Sequence, residues 1–579
     1  MDMQTVQVRP RRRKPGGLVR TLLRLVFFFL LGVVLFGLYW LFIPNTKMEK
    51  PQYGATHPIM VAGTIASGGA VIEGETIKLP LAVLKESAGL ENEIWYEEAT
   101  GSIVLTSAHQ VLRLKTDLLT ATLNSKPYEL REAAEVIDGE VYLPSTPLAE
   151  LYGIHVETGN GTGIVTIIPT GESVQRAKTT ADTALRSSPT IRATIYEKLP
   201  SDAEVRIWEE ATNPEWYTVQ AQSGTIGYLP KDKLSLTEIE QVKQPAVESP
   251  FIAWKVMGSK INMTWEGVYA KKTDVSAIGS LNGVNVVSPT WFELIDGTGK
   301  IRSKADKAYV DWAAKRKTQV WALFSNGFEP KRTTQALATA QTRFNMIRQL
   351  VAYAQIYRLQ GINIDFENVE TADKANLVQF VRELTPILHE QGLVVSIDVT
   401  PKSNSEMWSA FLDRPALAES VDFMMLMAYD EHWASSPKAG SVASLPWTEK
   451  SVLRLLEEDR VPPSKLILGM PLYARVWTEA NQAGGKTKVS SKALGMQAID
   501  KLIAERKLTP VFDARAGQNY VEYTEDGAKK RIWIEDEVSI QSRVALVRKY
   551  GLAGVATWQR SFQNEQIWGV IDQALQQKP

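Results

Sequence analysis

Two hydrophobic periods alternate along the C-terminal half of the chain. Eight short apolar runs are separated mostly by segments whose apolar residues recur every three or four positions, the spacing of helices that pack by one face. Eight strands joined by crossover helices are the count of a parallel (β/α)8 TIM barrel, so an α/β barrel is predicted over residues 251–579. The predicted strands are Met263–Tyr269, Val284–Thr290, Gln319–Phe324, Gly361–Glu367, Val394–Val399, Val421–Met427, Leu466–Leu472 and Gly554–Trp558.

One connection in this pattern is much longer than the others. About 80 residues separate the seventh and eighth predicted strands, and they include strand-like runs at Tyr520–Tyr523 and Arg531–Ile534. A connection of this length inside a compact domain normally has secondary structure of its own. We therefore predict an α+β insertion that deepens the cleft of the barrel.

The N-terminus combines an uncharged apolar run with a basic flank. Leu25–Ile43 has about 19 residues, which as a helix rising about 1.5 Å per residue almost span a ~30 Å hydrocarbon core. Residues 1–24 carry seven arginines and lysines, and basic flanks favour the cytoplasm. The pattern predicts a single-pass cell-membrane anchor, a cytoplasmic tail and extracellular C-terminal domains. A cleaved signal peptide is the alternative, although no small-residue cleavage site follows the run.

Residues 58–170 contain a duplicated pattern. VIEGETIKLP at Val71–Pro80 recurs as VIDGEVYLP at Val136–Pro144, and each copy predicts a hairpin, a strand that ends at proline and a short apolar helix. The pattern resembles the N-terminal domain of copper amine oxidases. This resemblance implies a small α+β stalk domain for spacing or binding, without redox chemistry.

Residues 177–236 show short strands with glycine turns, including GTIGYLP at Gly224–Pro230. Such a pattern indicates a small β-barrel, and the segment resembles the bacterial SH3 domains that accompany cell-wall hydrolases. Its aromatic residues either fill the core or contact the wall. Residues 237–250 are polar with two prolines and are predicted to be a linker.

Composition excludes several classes of chemistry. Lys plus Arg equals Asp plus Glu at 65 each, so net charge favours neither nucleic acid nor an acidic polymer as a partner. The chain has no cysteine, which excludes disulfides, zinc thiolate sites and a cysteine nucleophile. His109 and His155 are isolated, and the sequence predicts neither a metal nor a cofactor.

The fourth predicted strand of the barrel has a polar face. Along GINIDFENV the isoleucines and the phenylalanine point one way, whereas Asn363, Asp365 and Glu367 point the other. A strand covered on both faces is normally apolar throughout, so an inward-facing amide and two carboxylates cost several kcal/mol unless they have a use. This cost indicates an active site.

The spacing of the two carboxylates limits which reaction mechanisms are possible. Barrel enzymes place catalytic groups at the C-terminal ends of strands, and residues two apart on one strand have Cα atoms roughly 6.6 Å apart on one wall. Asp365 and Glu367 therefore cannot easily flank a sugar, as the carboxylates of conventional glycosidases do. One wall that carries both indicates the mechanism in which the substrate's own 2-acetamido oxygen is the nucleophile.

Several motifs resemble glycoside hydrolase family 18, in particular its spore-cortex and cell-wall N-acetylglucosaminidases. The signatures DxxDxDxE and MxYD, and the tryptophan of the eighth strand, fall at Gln360–Glu367, Met427–Asp430 and Trp558. Two positions depart from the first signature, because Gln360 and Asn363 replace aspartates. Asp365 thus lacks a carboxylate partner earlier on its own strand, and activity with an altered pH profile is expected.

The resemblance implies a role for each site residue. Glu367 would protonate the glycosidic oxygen and later activate water, and Asp365 would orient the acetamido group and stabilise its oxazolinium ion. Tyr429 would hydrogen-bond the acetamido oxygen. The predicted substrate-binding residues are Asn363, Asp430, Trp558, Asn326 and Asp398, although Asn326 also suits a turn and Asp398 a buried structural hydrogen bond.

The combined pattern predicts a membrane-anchored cell-surface glycosidase that hydrolyses β-1,4 bonds in a polymer of N-acetylglucosamine, with retention. Peptidoglycan is favoured over chitin, because the modules between the membrane and the barrel would hold the cleft at the wall. The alternatives are a chitinase-type hydrolase and a non-catalytic protein that binds glycan and tethers the wall.

Overall fold

The computed structural model describes residues 17–243, 245, 251–254, 259–481 and 487–577. The chain divides into two compact units. The first comprises residues 1–91 and 134–245, and the second comprises residues 92–133 and 246–579. Each unit is therefore assembled from two separate stretches of sequence.

An apolar helix, Gly17–Phe42, begins the described part of the first unit. Its stretch Arg20–Phe42 is long and apolar enough to cross a membrane, and it covers nearly all of the predicted span Leu25–Ile43. A helix of this kind is typical of a signal peptide or of a membrane anchor. Residues 1–16 of the predicted cytoplasmic tail lie outside the described residues.

The two copies of the duplicated motif pair with each other. The hairpin strands Val71–Glu73 and Thr76–Pro80 form one sheet with Glu135–Ile137 and Glu140–Pro144, with Leu79 opposite Leu143 in an antiparallel register. The predicted helix follows each copy. The helices are Leu81–Glu86 and Ser145–Tyr152, and a second sheet contains His155–Thr158, Val165–Ile168, Pro58–Val61 and Thr64–Gly69.

A seven-stranded antiparallel sheet completes the first unit. Its strands, in spatial order, are Ile195–Leu199, Thr183–Arg186, Ile226–Pro230, Trp216–Ala221, Glu204–Glu210, Ser173–Thr179 and Leu234–Gln241. The last strand extends into the predicted linker, residues 237–250, and the bounds of that linker stay a prediction. Assignment of this all-β segment to the SH3 fold stays a prediction.

The second unit contains the predicted closed barrel of eight parallel strands. The first strand pairs with both the second and the eighth, which closes the sheet. All eight predicted strands are confirmed, with ends that differ by a few residues. The observed strands are Ile261–Glu266, Val286–Pro289, Gln319–Ser325, Gly361–Asp365, Val394–Val399, Phe423–Met427, Leu466–Pro471 and Gly554–Trp558.

Two apolar layers hold the barrel together. Inside it, Met263, Trp321 and Met425 are fully buried in one cluster. Outside it, Leu377, Phe380 and other residues spaced by three or four along one helix pack on the strands. The helices of this layer are Lys307–Lys315, Pro330–Leu337, Ala340–Tyr357, Lys374–Glu390, Arg414–Ser420, Leu445–Glu457, Glu537–Lys549 and Ile567–Gln576.

The predicted α+β insertion is confirmed between the seventh and eighth strands of the barrel. It consists of a five-stranded antiparallel sheet and the helix Met496–Glu505. Its strands are Tyr473–Asn481, Thr487–Gly495, Val511–Asp513, Gln518–Glu525 and Ala528–Trp533. A smaller hairpin, Phe292–Leu294 and Ile301–Ser303, follows the second barrel strand.

The middle of the predicted stalk domain belongs to the unit of the barrel. Residues 92–133 form a five-stranded antiparallel sheet, and Val104 and Val111 from this sheet are fully buried in the outer core of the barrel. Its strands are Ile94–Glu97, Ser102–Thr106, Val111–Lys115, Thr120–Leu123 and Lys126–Glu129. The predicted domain 58–170 is therefore divided between the two compact units, and its bounds stay a prediction.

Candidate active site

The polar face of the fourth strand points into the barrel. Asn363 lies level with Leu323 of the third strand and Ser396 of the fifth. The predicted apolar face, which includes Ile362 and Ile364, packs in the outer core. The strand ends at Asp365, so Glu367 follows directly at the C-terminal end of the barrel, where TIM barrels hold their catalytic groups.

Asp365 and Glu367 form the acidic centre of the site. Their carboxyl groups lie close enough for each to shift the pKa of the other. Burial raises the pKa of Glu367 well above its usual range, and the negative charges of Asp365 and Asp430 raise it further. Glu367 therefore keeps its proton at a pH at which an exposed glutamate has lost it, as a general acid requires.

Aromatic side chains enclose this centre. The ring of the fully buried Trp265 lies 6.5 Å from that of Tyr429 and 5.9 Å from that of Trp558. Burial raises the pKa of Tyr429 well above its usual range, and the charges of Asp398 and other neighbouring acids add to the effect. The Tyr429 hydroxyl thus stays neutral and can donate a hydrogen bond. Trp558 lines the same wall, as a floor for a sugar requires.

The insertion supplies two residues that the sequence analysis did not predict, Tyr473 and Arg475. Asp430, whose backbone is left-handed at φ 59°, accepts hydrogen bonds from the Tyr473 hydroxyl at 2.7 Å and from the Arg475 guanidinium at 2.9 Å. Arg475 neutralises part of the charge that faces Glu367. The segment LYAR after the seventh strand was the available signal, because its polar residues follow a strand end.

Asn326 is hydrogen-bonded to the backbone of Glu367. It is fully buried; its side-chain nitrogen donates to the Glu367 carbonyl at 2.7 Å, and its oxygen accepts from the Glu367 backbone nitrogen at 3.2 Å. It also accepts from the Phe328 backbone nitrogen and donates to Thr333. Asn326 therefore holds the backbone of Glu367 through two hydrogen bonds, and its contact with substrate stays a prediction.

Asn363 and Asp398 are also enclosed by protein. Asn363 is fully buried, donates to Asp398 at 2.8 Å and accepts from Ser396 at 2.7 Å. Asp398 is 2% exposed. Direct binding of substrate by these two residues stays a prediction. The alternative of a buried hydrogen bond describes Asp398, and Asn363 donates to Asp398, not to Asp365.

The described part of the chain has no group of three or more histidine, aspartate or glutamate side chains arranged to hold a metal ion. The barrel mouth combines the carboxyl groups of Asp365 and Glu367, at the end of the fourth strand, with the neutral hydroxyl of Tyr429, which follows the sixth strand. Such a set can protonate a leaving group while it holds a polar group of the substrate.

Comparison with known sequences assigns the barrel to a protein family. The profile of "Glycosyl hydrolases family 18" matches residues 268–563, which is about half of the chain. The chain belongs to this family. The barrel is thus a glycoside hydrolase domain, and the resemblance inferred from the motifs is confirmed. A second profile, "Copper amine oxidase N-terminal domain", matches residues 64–167.

Individual relatives cover the family 18 barrel. An uncharacterized glycosylase, YvbX, of Bacillus subtilis (strain 168) is 26% identical over 285 residues, which are 47% of this chain and 80% of the relative. The cortical fragment-lytic enzyme of the same organism is 26% identical over 227 residues, which are 38% of this chain and 51% of the relative. Di-N-acetylchitobiase of Rattus norvegicus is 25% identical over 267 residues, which are 40% of this chain and 71% of the relative.

A solved structure supports the fold of the barrel. The C-terminal domain of a putative chitinase from Desulfitobacterium hafniense DCB-2 aligns with a TM-score of 0.50 and 24% identity, over 55% of this chain and all of that domain. The chain is therefore a family 18 glycosidase related to cortex-lytic enzymes and chitinases. It spans about half the length of the cortical fragment-lytic enzyme, and the substrate and partners of the whole chain are treated as proposals.

Proposed function

We propose that this chain is a membrane-anchored glycosidase of the cell surface that hydrolyses β-1,4 bonds of N-acetylglucosamine-containing glycan, with peptidoglycan as the favoured substrate. The observation that carries the proposal is that Asp365 and Glu367 lie two residues apart at the end of one strand, with Tyr429 near enough for both acids to raise its pKa. Two carboxyl groups on one wall cannot flank a sugar, so the nucleophile has to come from the substrate.

The proposed reaction proceeds in two steps. Glu367 donates its proton to the glycosidic oxygen, while the 2-acetamido oxygen attacks the anomeric carbon and forms an oxazolinium ion. Asp365 accepts a hydrogen bond from the acetamido N–H and stabilises the positive charge, and the Tyr429 hydroxyl donates to the acetamido oxygen. Glu367, now ionised, removes a proton from water, which opens the ring from the other face and gives net retention.

Two observations support peptidoglycan as the substrate and the membrane as the place where the chain is anchored. A relative is named for lysis of cortical fragments, and the apolar helix Gly17–Phe42 fits a membrane span that would hold the barrel near the wall.

The full chain in detergent is to be incubated with purified peptidoglycan and with chitin oligomers, followed by mass analysis of the products. Release of fragments with N-acetylglucosamine at the reducing end supports the proposal, and no hydrolysis of either polymer would refute it.

Removal of the acetyl group from the substrate is expected to prevent hydrolysis. De-N-acetylated glycan of the same length lacks the oxygen that acts as nucleophile, so its rate is expected to fall by at least about a hundredfold. The measurement compares initial rates on matched acetylated and deacetylated oligomers. Equal rates would mean that a protein carboxylate or water attacks the sugar directly.

Asp430→Asn is expected to move the alkaline limb of the pH profile to lower pH. The negative charge of Asp430 raises the pKa of Glu367, and the active protonated acid is lost as pH rises through that pKa, so removal of the charge causes this loss earlier. The profile of kcat/KM against pH measures the shift. Asp311→Asn, at an exposed carboxylate on the helix Lys307–Lys315, is the control and should leave the limb in place.

A further inference from the structure

The fifth barrel strand places a carboxyl group beside Asp365. This strand, Val394–Val399, pairs in parallel with Gly361–Asp365, and Ile364 lies opposite Ile397. The next position along both strands brings Asp365 level with Asp398, on strands about 4.8 Å apart. Both residues share the inner face with Asn363, whose side chain bonds Asp398.

Neither carboxyl group is neutralised by a cation from the described part of the chain. Asp365 is 7% exposed and Asp398 2% exposed, and the Oδ1 atom of each lacks a hydrogen-bond partner. Within the described ranges, no lysine or arginine forms an ion pair with either residue. The ionisable groups that face them are Glu367 and Tyr429. Glu367 adds a negative charge when it is ionised, Tyr429 is neutral, and neither can supply a positive charge. Two buried like charges this close cannot both ionise.

We propose that Asp398 is a positioning residue that shares one proton with Asp365 and takes up that proton when a 2-acetamido sugar binds. The inference rests on the proposed function. The O–H bond on Asp365 breaks and an equivalent bond forms on the free Oδ1 of Asp398, so the pair neither gains nor loses a proton. Asp365 is left anionic, as it must be to accept from the acetamido N–H and to face the oxazolinium charge.

The electrostatics agree with this geometry. Burial raises the pKa of both aspartates well above the usual range, and the charge of Asp398 raises the pKa of Asp365 further. The Asn363 amide and the Trp265 indole, both of which face this carboxyl group, oppose the increase in the pKa of Asp398. Asn363 occupies Oδ2 of Asp398 and leaves Oδ1 for the proton.

The acid that partners Asp365 lies on a different strand in this chain than in the family signature. The family signature has an aspartate where this chain has Asn363, and here the acid partner of Asp365 comes from the fifth strand instead. Because the Asn363 nitrogen lies 2.8 Å from Asp398, the two residues can be exchanged. The double variant Asn363→Asp/Asp398→Asn keeps net charge, volume and the amide–carboxylate hydrogen bond, and changes only the strand that carries the acid.

Kinetics test the proposal through this exchange. Asp398→Asn is expected to lower kcat by about tenfold or more with little change in KM and to move the acidic limb of the pH profile, because Asp365 loses its proton acceptor. The double variant is expected to recover most of kcat and the original limb. An unchanged kcat and pH profile in Asp398→Asn would overturn the proposal, as would a double variant no better than the single one.

Infrared titration tests the shared proton without turnover. In a Glu367→Gln background, the C=O stretch of buried protonated carboxyl groups is followed against pH, with and without Asp398→Asn. The band is expected to disappear at lower pH when Asp398 is replaced, and identical titrations would overturn the proposal. If the native chain hydrolyses no glycan, the proposed function fails, but this titration still decides whether the proton is shared.

Discussion

Glu367→Gln is expected to lower the rate of glycan hydrolysis by about a hundredfold to ten-thousandfold, the usual contribution of a general acid and base. Glutamine keeps the shape of the side chain but cannot release a proton to the glycosidic oxygen or accept one from water. The backbone hydrogen bonds between residue 367 and Asn326 remain, so the loop should keep its position.

Binding separates loss of chemistry from loss of fold. The Kd of Glu367→Gln for an N-acetylglucosamine oligomer is expected to stay within about threefold of the native value, because Asp365, Tyr429 and Trp558 still hold the sugar. Isothermal calorimetry measures this affinity beside initial rates of hydrolysis. The matched control is Glu370→Gln, an exposed glutamate three residues further on, which should retain full activity.

Two outcomes of this experiment would contradict the mechanism. Turnover equal to that of the native chain would remove Glu367 from the reaction. Loss of binding together with turnover would show that the carboxyl group holds the substrate and that its role as an acid is unproven. The non-catalytic alternative, a protein that only binds glycan, requires that neither Glu367→Gln nor the native chain releases reducing ends.

Much of the barrel was predictable because its signals are local. Each strand is a short apolar run between helical segments, and the polar residues that interrupt the fourth strand mark the site. The sequence also predicted the insertion from the length of one connection. The exact partners of buried amides were not predictable, because Asn326 and Asn363 reach residues 41 and 35 positions away, and only the closed barrel fixes which atoms they meet.

For a similar reason, the sequence could not predict that residues 92–133 of the stalk segment belong to the compact unit of the barrel. The duplicated motif identified its two ends, Val71–Pro80 and Val136–Pro144, as one domain. The residues between them contact the barrel through pairs such as Glu97 and Arg343, which are 246 positions apart. No local spacing encodes a contact of this kind, and the profile match over residues 64–167 does not separate the segment either.

Arg343→Met is expected to destabilise the unit of the barrel by about 3–5 kcal/mol, the cost of leaving buried charges unpaired. The Arg343 guanidinium is fully buried and forms ion pairs with Glu383 at 2.8 Å and with Glu97 of the five-stranded sheet at 3.2 Å. The two side chains are 1% and 10% exposed. Methionine fills similar space but leaves both carboxylates without their cation.

Denaturant unfolding followed by tryptophan fluorescence measures the loss. Lys307→Met removes an exposed ion pair with Asp311 and is expected to change the free energy of unfolding by no more than about 0.5 kcal/mol. The triple variant Arg343→Met/Glu97→Gln/Glu383→Gln removes all three charges and should recover most of the stability, since the penalty arises from unpaired carboxylates. A single variant as stable as the Lys307→Met control would refute this account.

The same contact joins residues 92–133 to the barrel. Glu97 also accepts a hydrogen bond from the backbone nitrogen of Ala340, and Arg113 donates to the Ala340 carbonyl at 2.9 Å. Ala340 begins the helix that leads into the fourth strand, so residues 92–133 hold the segment that precedes Asp365 and Glu367. A chain reduced to residues 251–579 would expose Arg343 and the apolar surface under Val104 and Val111. It is expected to unfold at lower denaturant than the full chain.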